Sequence, residues 1–199
     1  MKQQSDLSKQ PEFDIEALLK GDQRAFEQLV VSESPRLFRV IMRILNDEAE
    51  AENILQETFL QAYLGLDTFR KESKFTTWLY AIGINLARAS LRKSRRLSSL
   101  DEHDVDRLQP TFSRGMFAQT FEKWNPQQLA EKSERQRIVH EAINQLPHEY
   151  RAVVILRDIE ELSTEDVSKM LDISGGAVRV RLHRARRALR TLLETHFRD

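Results

Sequence analysis

The sequence predicts an all-helical fold, and three observations support this prediction. Glycine and proline are scarce, at 6 and 5 of 199 residues. No stretch alternates apolar and polar residues for long at the period of two that half-buried strands show. Several stretches instead place apolar residues at the three- and four-residue spacing that lines one face of an α-helix. We therefore expect two small helical domains joined by an irregular linker.

The N-terminal part of the chain contains four predicted helices. Two lie between Asp14 and about Leu45, where Gly21-Asp22 separates them. A third runs from Asp47 to Leu66, because its apolar residues keep helical spacing over four turns. These residues are Ala51, Ile54, Leu55, Thr58, Phe59, Ala62, Tyr63 and Leu66. A fourth helix is predicted from Thr77 to Lys93.

The helical pattern fails over residues 97–127, which are predicted to form a linker. This stretch holds an acidic cluster, two prolines and a glycine, with several aromatic residues between them. Roughly 30 residues without regular periodicity are uncommon inside a compact domain. The predicted domains are therefore residues 1–96 and 128–199.

Composition narrows the class of protein. The chain has no cysteine, so disulfides and thiolate sites are excluded and a reducing compartment is natural. No stretch approaches the roughly 18 apolar residues of a membrane span. The polar start, Met1 to Gln10, lacks the apolar segment of a secretory signal. We expect a cytoplasmic protein.

The net charge of zero conceals two basic blocks. Residues 67–100 carry 8 basic and 2 acidic side chains, and residues 175–199 carry 7 and 2. Residues 1–66 and 101–174 are acidic, with excesses of 5 and 6 negative charges. This distribution suits a protein that grips DNA at two separated places. It is equally compatible with two solvated helix faces.

The C-terminal part predicts a helix-turn-helix. Helical patterning returns after Pro126 and ends at Pro147, and a helix from about Glu149 to Arg157 and two shorter ones follow. The stretch Ser163-Thr164-Glu165-Asp166 has the form of a capping box. A turn at 172–176 then leads into a basic helix. In such a motif the second helix enters the major groove of DNA.

The last helix separates into two faces at 100° per residue. One face is apolar and should be buried: Val178, Leu182, Ala185, Leu189 and Leu192. The opposite face holds Val180, His183, Arg184 and Arg187, flanked by Arg179 and Arg181. Arginine suits both phosphates and guanine edges. No second histidine or cysteine lies at ligand spacing from His183, so no metal site is expected there.

The helix from Thr77 to Lys93 also carries a candidate DNA face. Its members lie within about 40° of one another at helical spacing. They are Ala81, Asn85, Arg88 and Arg92. The aromatic residues Phe75, Trp78 and Tyr80 interleave with basic residues, so they could stack on single-stranded bases. The alternative is that these aromatic residues belong to the core.

Four stretches resemble the extracytoplasmic-function sigma factors, and together they span nearly the whole chain outside the linker. They are Gly21-Asp22-Gln23-Arg24-Ala25-Phe26; Ala51-Glu52-Asn53-Ile54-Leu55-Gln56-Glu57-Thr58-Phe59; Phe75-Thr76-Thr77-Trp78-Leu79-Tyr80; and Leu146-Pro147 through Ser174 into Arg179-Val180-Arg181-Leu182-His183-Arg184-Ala185-Arg186. Each motif is moderately specific, and their order and spacing make the resemblance strong.

The resemblance implies a promoter-specificity subunit of RNA polymerase with sigma domains 2 and 4. Asn53, Gln56 and Glu57 would bind the clamp helices of the largest polymerase subunit, and domain 4 would meet the flap. The −10 element would be read and melted by Arg70, Lys71, Ser73, Lys74, Trp78, Asn85, Arg88 and Arg92. The −35 element would be read by Ser174, Gly175, Arg179, Val180, Arg181, His183 and Arg184. Family members need no cofactor and are commonly held inactive by an anti-sigma factor.

The chain departs from the family pattern at five positions. Asn53 stands where aspartate is usual, Ala81 where arginine is common, and Lys71 where glycine is common. In the last helix Ala177 replaces the usual threonine and Val180 the usual serine. A valine on the outward face suits a thymine methyl group, so we expect an altered −35 preference at one position.

Two other classes of protein compete with this interpretation. A helix-turn-helix regulator that acts without core polymerase shares the C-terminal motif, but it leaves the basic block before residue 100 unexplained. An enzyme could use the acidic residues Asp47, Glu48, Glu50 and Glu52. These lie near a helix start, where acids are favourable in any case. No nucleophile–base pair or phosphate loop accompanies them, so we expect no enzyme activity.

Overall fold

The computed structural model describes residues 14–94 and 132–194, and every regular element within these ranges is helical. The first range contains α1 (Ile15–Leu19), α2 (Gln23–Leu45), α3 (Glu48–Leu64), a 3-10 helix (Leu66–Thr68) and α4 (Phe75–Ser94). The second contains α5 (Lys132–Gln145), α6 (His148–Val154), a π-type turn (Ile155–Ile159), α7 (Thr164–Leu171) and α8 (Gly175–Glu194). The predicted fold class is confirmed, while the predicted linker lies outside the described residues. No helix in these ranges is long and apolar enough to cross a membrane.

Short polar side chains begin the helices, as the sequence predicts. The Asp22 carboxylate accepts a hydrogen bond from an amide of the first turn of α2 at 3.0 Å. The Ser163 hydroxyl accepts from the Asp166 amide at 3.0 Å and donates to the Asp166 carboxylate at 2.7 Å. These bonds satisfy amides that have no partner within the helix. Ser163 therefore caps α7 as predicted, while the Asp166 carboxylate bonds the Ser163 hydroxyl and not the backbone amide that a full capping box uses.

Several helix boundaries differ from the prediction, and α4 begins two residues earlier, at Phe75. The regular part of α3 ends at Leu64, and Leu66 lies in the 3-10 helix instead. Regular α6 ends at Val154 and continues as the π-type turn, which extends past the expected end. The last helix was expected to be short but spans 20 residues. Its length follows from Leu189 and Leu192, which keep packing against the core.

The two groups of helices are in direct contact. Helices α2, α3 and α4 pack on one another, and α8 packs on α5, α6 and α7. In addition α4 packs along α7, so the buried residues of both groups form one contiguous cluster. The sequence predicts two domains, and the structure shows that a face of one lies against a face of the other.

Candidate nucleic-acid interface

The helix-turn-helix is built from α7, a tight turn and α8. Asp172 ends α7 in the left-handed conformation at φ 51°. The Ser174 hydroxyl then accepts a hydrogen bond from the Ala177 amide at 3.1 Å. Ser174, a predicted −35 residue, thus caps the recognition helix, and Gly175 is the first residue of that helix. Both residues fix where the helix starts.

The two predicted faces of α8 are present. Val178, Leu182 and Ala185 are buried, which confirms the predicted apolar stripe. Four of the outward residues are exposed: Arg179, Val180, His183 and Arg184. Arg187, which the periodicity places on the same face, is half-buried instead. Among them Val180 is an apolar side chain that is 53% exposed. A row of cationic side chains with one exposed branched apolar residue can contact phosphates, base edges and a thymine methyl group.

Arg181 behaves differently from the outward residues of α8. Its side chain is only 22% exposed and forms an ion pair with Glu149 at the start of α6. Glu149 also lies 3.6 Å from Arg88 of α4, measured between the carboxylate oxygen and the guanidinium nitrogen. The residue predicted to flank the −35 face therefore lies at the boundary between the two groups of helices.

The predicted DNA face of α4 lies along that boundary. Asn85 and Arg92 are exposed and Ala81 is half-buried. Arg88 is largely buried, and its guanidinium donates to the Leu171 carbonyl at 3.3 Å. Burial lowers the pKa of Arg88, Glu149 acts in the opposite direction, and the neighbouring arginines lower it further. Sequence periodicity places these residues on one face, but it carries no signal that α7 covers part of it.

The loop before α4 presents the other predicted −10 residues. Arg70, Lys71 and Lys74 are exposed, and the half-buried Ser73 hydroxyl donates to the Lys74 carbonyl at 3.4 Å. Lys71 adopts a left-handed backbone conformation with φ 59°. Glycine adopts this conformation without steric cost. This explains why glycine is common at this position in the family that the sequence resembles.

The aromatic residues near this loop belong mainly to the core. Phe75 and Tyr80 are buried, so the predicted stacking patch is wrong for these two residues in this conformation. The Tyr80 hydroxyl donates to the Glu33 carboxylate at 3.2 Å. Trp78 is half-buried against Phe69 and Phe75, with ring centroids 5.6 and 5.2 Å away. Of the three aromatic residues predicted to stack, Trp78 is the one that is not fully buried.

The predicted polymerase-binding residues of α3 are all exposed. They are Asn53, Gln56 and Glu57. Three exposed apolar side chains follow toward the C-terminal end of the same helix: Leu60, Tyr63 and Leu64. The sequence analysis did not single out Leu60 and Leu64. Tyr63 was expected to be buried, but it is half-exposed and packs edge-on against Phe26. Leu60 and Leu64 lie outside the apolar stripe that the sequence predicts for this helix. Their place off that stripe was the sequence signal that could have indicated their exposure.

Two of the four acidic residues of the competing enzyme interpretation, Asp47 and Glu50, have structural partners. Asp47 caps α3 through the Glu50 amide at 3.0 Å. The Glu50 carboxylate accepts a hydrogen bond from Ser90 at 2.5 Å. Across residues 14–94 and 132–194, no group of three histidine, cysteine or acidic side chains could hold a metal ion. This cluster therefore fixes the start of α3 against α4.

Two known protein families match the chain. The family described as Sigma-70 region 2 matches residues 29–97, and Sigma-70, region 4 matches residues 136–189. The first match covers α4, and the second covers α8 as far as residue 189. Region 2 accounts for the basic block that a helix-turn-helix regulator alone leaves unexplained.

Curated relatives are similar over nearly their whole length. The RNA polymerase sigma-H factor of Pseudomonas aeruginosa is 35% identical over 185 residues, which cover 93% of this chain and 94% of that protein. The ECF RNA polymerase sigma factor SigW of Bacillus subtilis is 34% identical over 90% of this chain and 94% of its own. The ECF RNA polymerase sigma-E factor of Escherichia coli strain K12 is 35% identical over 88% and 90%.

Solved structures share the fold. CnrH in complex with the cytosolic domain of CnrY is similar at a TM-score of 0.62 and 26% identity, over 92% of this chain and 99% of that one. The sigma factor RpoE of Bartonella quintana, in complex with the anti-sigma factor NepR, aligns at a TM-score of 0.60 and 24% identity, over 85% and 96%. Together with the family matches and the relatives, this establishes that the chain belongs to the extracytoplasmic-function sigma factors, which are transcription initiation factors.

Proposed function

We propose that this sigma factor reads the −10 element with α4 and the loop before it, and the −35 element with α8. The −10 face is defined by Asn85, Arg88 and Arg92, and the −35 face by Arg179, Val180, Arg181, His183 and Arg184. The observation that carries the proposal is the pairing of each face with one matched sigma region. Each face combines guanidiniums with a hydrogen-bonding or apolar side chain, as contact to phosphates and base edges requires.

The −10 loop supplies contacts to single-stranded DNA. Arg70, Lys71, Ser73 and Lys74 follow the strand as polar and cationic groups, and Trp78 offers the accessible part of its ring to a base. Stacking on one aromatic residue contributes roughly 1–3 kcal/mol per base. A flipped base held in this way would help keep the promoter melted.

Core polymerase binds to α3 in this proposal. Asn53, Gln56 and Glu57 supply polar contacts to the clamp helices of the largest subunit, and exposed Leu60 and Leu64 add apolar area. Leu64 is 72% exposed, so covering it removes apolar surface from water. Apolar surfaces of the second domain meet the polymerase flap. The domain boundaries are residues 1–96 and 128–199, with residues 97–127 as the linker.

Control by an anti-sigma factor in the cytoplasm completes the proposal. Members of the family are commonly held inactive in this way, and the similar CnrH was solved with the cytosolic domain of a second protein bound. An envelope or stress signal would release this sigma factor. Co-purification of a binding protein whose addition stops transcription would support this control.

Run-off transcription tests the central proposal. Purified core polymerase and this protein are given a library of randomised promoters, and the transcribed sequences are read. We expect enriched −10 and −35 elements and product well above that of core polymerase alone. Product equal to that of core alone would contradict the proposal.

Charge reversal tests the two faces. Arg88→Glu and Arg184→Glu should each reduce run-off transcription by about tenfold or more, because each loses a charged DNA contact worth about 1–3 kcal/mol. Binding to core polymerase should remain unchanged in a pull-down assay. The matched control is Lys20→Glu, the same charge change at the exposed end of α1, which packs on α2. Loss of core binding by either variant would show that the face is misassigned.

A further inference from the structure

The turn between α7 and α8 is held by a serine of α7. The backbone amides of Asp172 and Ile173 both donate to the Ser168 carbonyl, the second of them at 3.1 Å. The Ser168 hydroxyl in turn donates to the Ile173 carbonyl. Ile173 itself packs against the buried core. Ser168 therefore fixes the point from which the recognition helix departs.

The first turn of α8 depends on a second serine, Ser174. Its hydroxyl accepts a hydrogen bond from the Ala177 amide at 3.1 Å, and its carbonyl accepts one from the Val178 amide at 3.0 Å. Ser174 is exposed, so these bonds replace hydrogen bonds to water and add only modestly to stability. The cap of the recognition helix is therefore present but weak.

Two successive glycines, Gly175 and Gly176, begin the same helix. Within residues 14–94 and 132–194, the glycine with a positive φ is Gly21. The backbone at Gly175 and Gly176 is helical instead, and every residue type with a side chain can adopt that conformation. Backbone conformation therefore does not require glycine at either position.

The space around these two positions does not require glycine either. A Cβ added at Gly175 would lie 3.6 Å from the Thr164 methyl carbon and 3.8 Å from a guanidinium nitrogen of Arg179. At Gly176 the nearest atom would be the Ser174 hydroxyl oxygen, at 3.7 Å. These are ordinary van der Waals distances. Alanine would fit at Gly175 and would even fill a small gap between the starts of α7 and α8.

The glycines leave the start of α8 less stable than its middle. Glycine disfavours a helix because its unfolded backbone has more conformational freedom to lose. The middle of α8 is held by the buried side chains of Val178, Leu182 and Ala185. The side chains of a recognition helix that reach base edges lie toward its N-terminal end. The weak turn therefore comes directly before Arg179 and Val180.

We propose that the first turn of α8 exchanges between an ordered and a frayed form in the free protein, and that it becomes fully ordered on the −35 element. Gly175 and Ser168 act as positioning residues: Gly175 loosens the turn and Ser168 tightens it. Affinity for the −35 element then follows the fraction of molecules in which the turn is already ordered. This inference rests on the proposed function, because it assigns α8 to the −35 element.

Gly175→Ala and Ala177→Gly test the proposal in opposite directions. The first removes a glycine from the turn and the second adds one, while charges and hydroxyl groups stay unchanged. The probe is the strongest promoter selected from the randomised library, bound by the complex with core polymerase in a filter-binding assay. Gly175→Ala should bind it about threefold more tightly than the wild type, and Ala177→Gly about threefold more weakly. A promoter with a scrambled −35 element should show neither change.

Ser168 is tested by removing its hydroxyl. Ser168→Ala should weaken binding to the same promoter about threefold, whereas Ser168→Thr keeps a hydroxyl and should bind within twofold of the wild type. The matched control is Ser32→Ala in α2. Ser32 is also half-buried, and its hydroxyl also donates to a backbone carbonyl, that of Leu29, at 3.1 Å. Its replacement should leave binding to the −35 element unchanged.

Hydrogen exchange separates positioning from a general change in stability. In the free full-length protein, the amides of Ala177 and Val178 should exchange about tenfold faster than the amide of Leu182. Gly175→Ala should slow the first two about threefold and leave Leu182 unchanged, whereas a merely structural effect would change all three alike. In the promoter complex with core polymerase, mass spectrometry of the peptide that contains Ala177 and Val178 should show the added protection.

The outcomes distinguish this inference from the proposed function. Weaker promoter binding by Gly175→Ala would show that DNA needs the space of a glycine, and this would overturn the inference. Slower exchange without tighter binding would also overturn it, because order in the turn would then not be coupled to DNA. Equal affinity of the wild-type complex for the intact and the scrambled −35 element would contradict the proposed function itself.

Discussion

Val180 is the exposed apolar side chain on the outward face of the recognition helix. Its neighbours on that face, Arg179, His183 and Arg184, are polar or charged and also exposed. Packing this side chain against a base removes its apolar surface from water, which lowers the free energy of binding. The methyl group of thymine is the apolar feature that the major groove offers.

We expect Val180→Ser to change the −35 sequence that is selected from a randomised library. The preference for thymine at one position should fall about fourfold, the equivalent of a lost methyl contact of about 0.8 kcal/mol. The matched control is Val139→Ser on α5, where a similarly exposed valine is replaced outside the recognition helix. An unchanged −35 preference would refute the role of Val180.

Glu33 is an ionisable group held in the interior of the first domain. It accepts a hydrogen bond from Tyr80, and burial raises the pKa of Glu33, while Tyr80 and Arg36 act in the opposite direction. Because the folded-state pKa lies above the ordinary value of 4.5, ionisation costs stability as the pH rises through this value. The cost is complete above the folded-state pKa and absent at lower pH.

Glu33→Gln should therefore raise the melting temperature near pH 7.5 by about 2 °C, since the amide keeps an acceptor for Tyr80 and carries no charge. The gain should vanish near pH 4, and a pH series of thermal melts would show this. Glu27→Gln, an exposed residue of the same helix, is the control. An equal gain at both pH values would contradict the explanation.

At the scale of elements, α4 is the helix on which both the core and the proposed −10 face depend. Gly83 faces α2 and α3 so closely that an added Cβ would lie 3.0 Å from the Thr58 hydroxyl oxygen. The terminal methyl groups of Ile41 and Leu37 would lie at 3.3 Å. Thr58 is fixed by its hydrogen bond to the Ile54 carbonyl, so it has little room to move. Close packing here sets the direction in which Asn85 and Arg92 point.

Gly83→Val should destabilise the protein by about 2 kcal/mol, because overpacking exceeds the gain in helix propensity. Urea denaturation would measure this loss. The same substitution at Gly176, where an added Cβ has its nearest contact at 3.7 Å, should change stability by less than about 0.5 kcal/mol. Equal effects at the two positions would contradict the packing argument.

At the scale of the whole molecule, charge is arranged so that two basic blocks act together. Each block by itself offers few contacts, and core polymerase makes the second contact intramolecular. Within the protein, Glu149 neutralises part of this charge through its ion pairs with Arg88 and Arg181. Affinity for promoter DNA therefore depends on both electrostatics and domain spacing.

Promoter binding by the complex with core polymerase should weaken steeply with salt. Each phosphate contact adds about one unit to the slope of log K against log salt concentration. Arg179→Gln should reduce this slope by about one unit, whereas Lys20→Gln should leave it unchanged. Filter binding over a salt series measures both. A slope unaffected by Arg179→Gln would remove this residue from the set of phosphate contacts.

Local features were predictable because their causes are local. The cap at Asp22, the cap at Ser163 and the buried stripe of α8 each depend on residues within two or three turns. The resemblance to the sigma factors supplied the functional roles of residues for which helical spacing alone left several roles open. The left-handed φ of Lys71 and the exposure of Leu60 were not predicted, because both depend on how a loop or helix is held by distant neighbours.

The sequence by itself determined the helices, their caps, the two basic faces and the family. Periodicity, cap chemistry and motif order can be recognised because they depend on residues close together in the chain. Only the tertiary structure decided that these faces meet. Arg88 and Arg181 are 93 positions apart along the chain, and each lies on a helix whose pattern says nothing about the other. Their common partner, Glu149, reads in the sequence as an ordinary acid at a helix start. Its position between two arginines comes from the packing of α4 along α7. This packing depends on the burial of apolar residues that are distant in the sequence, so no local pattern predicts it.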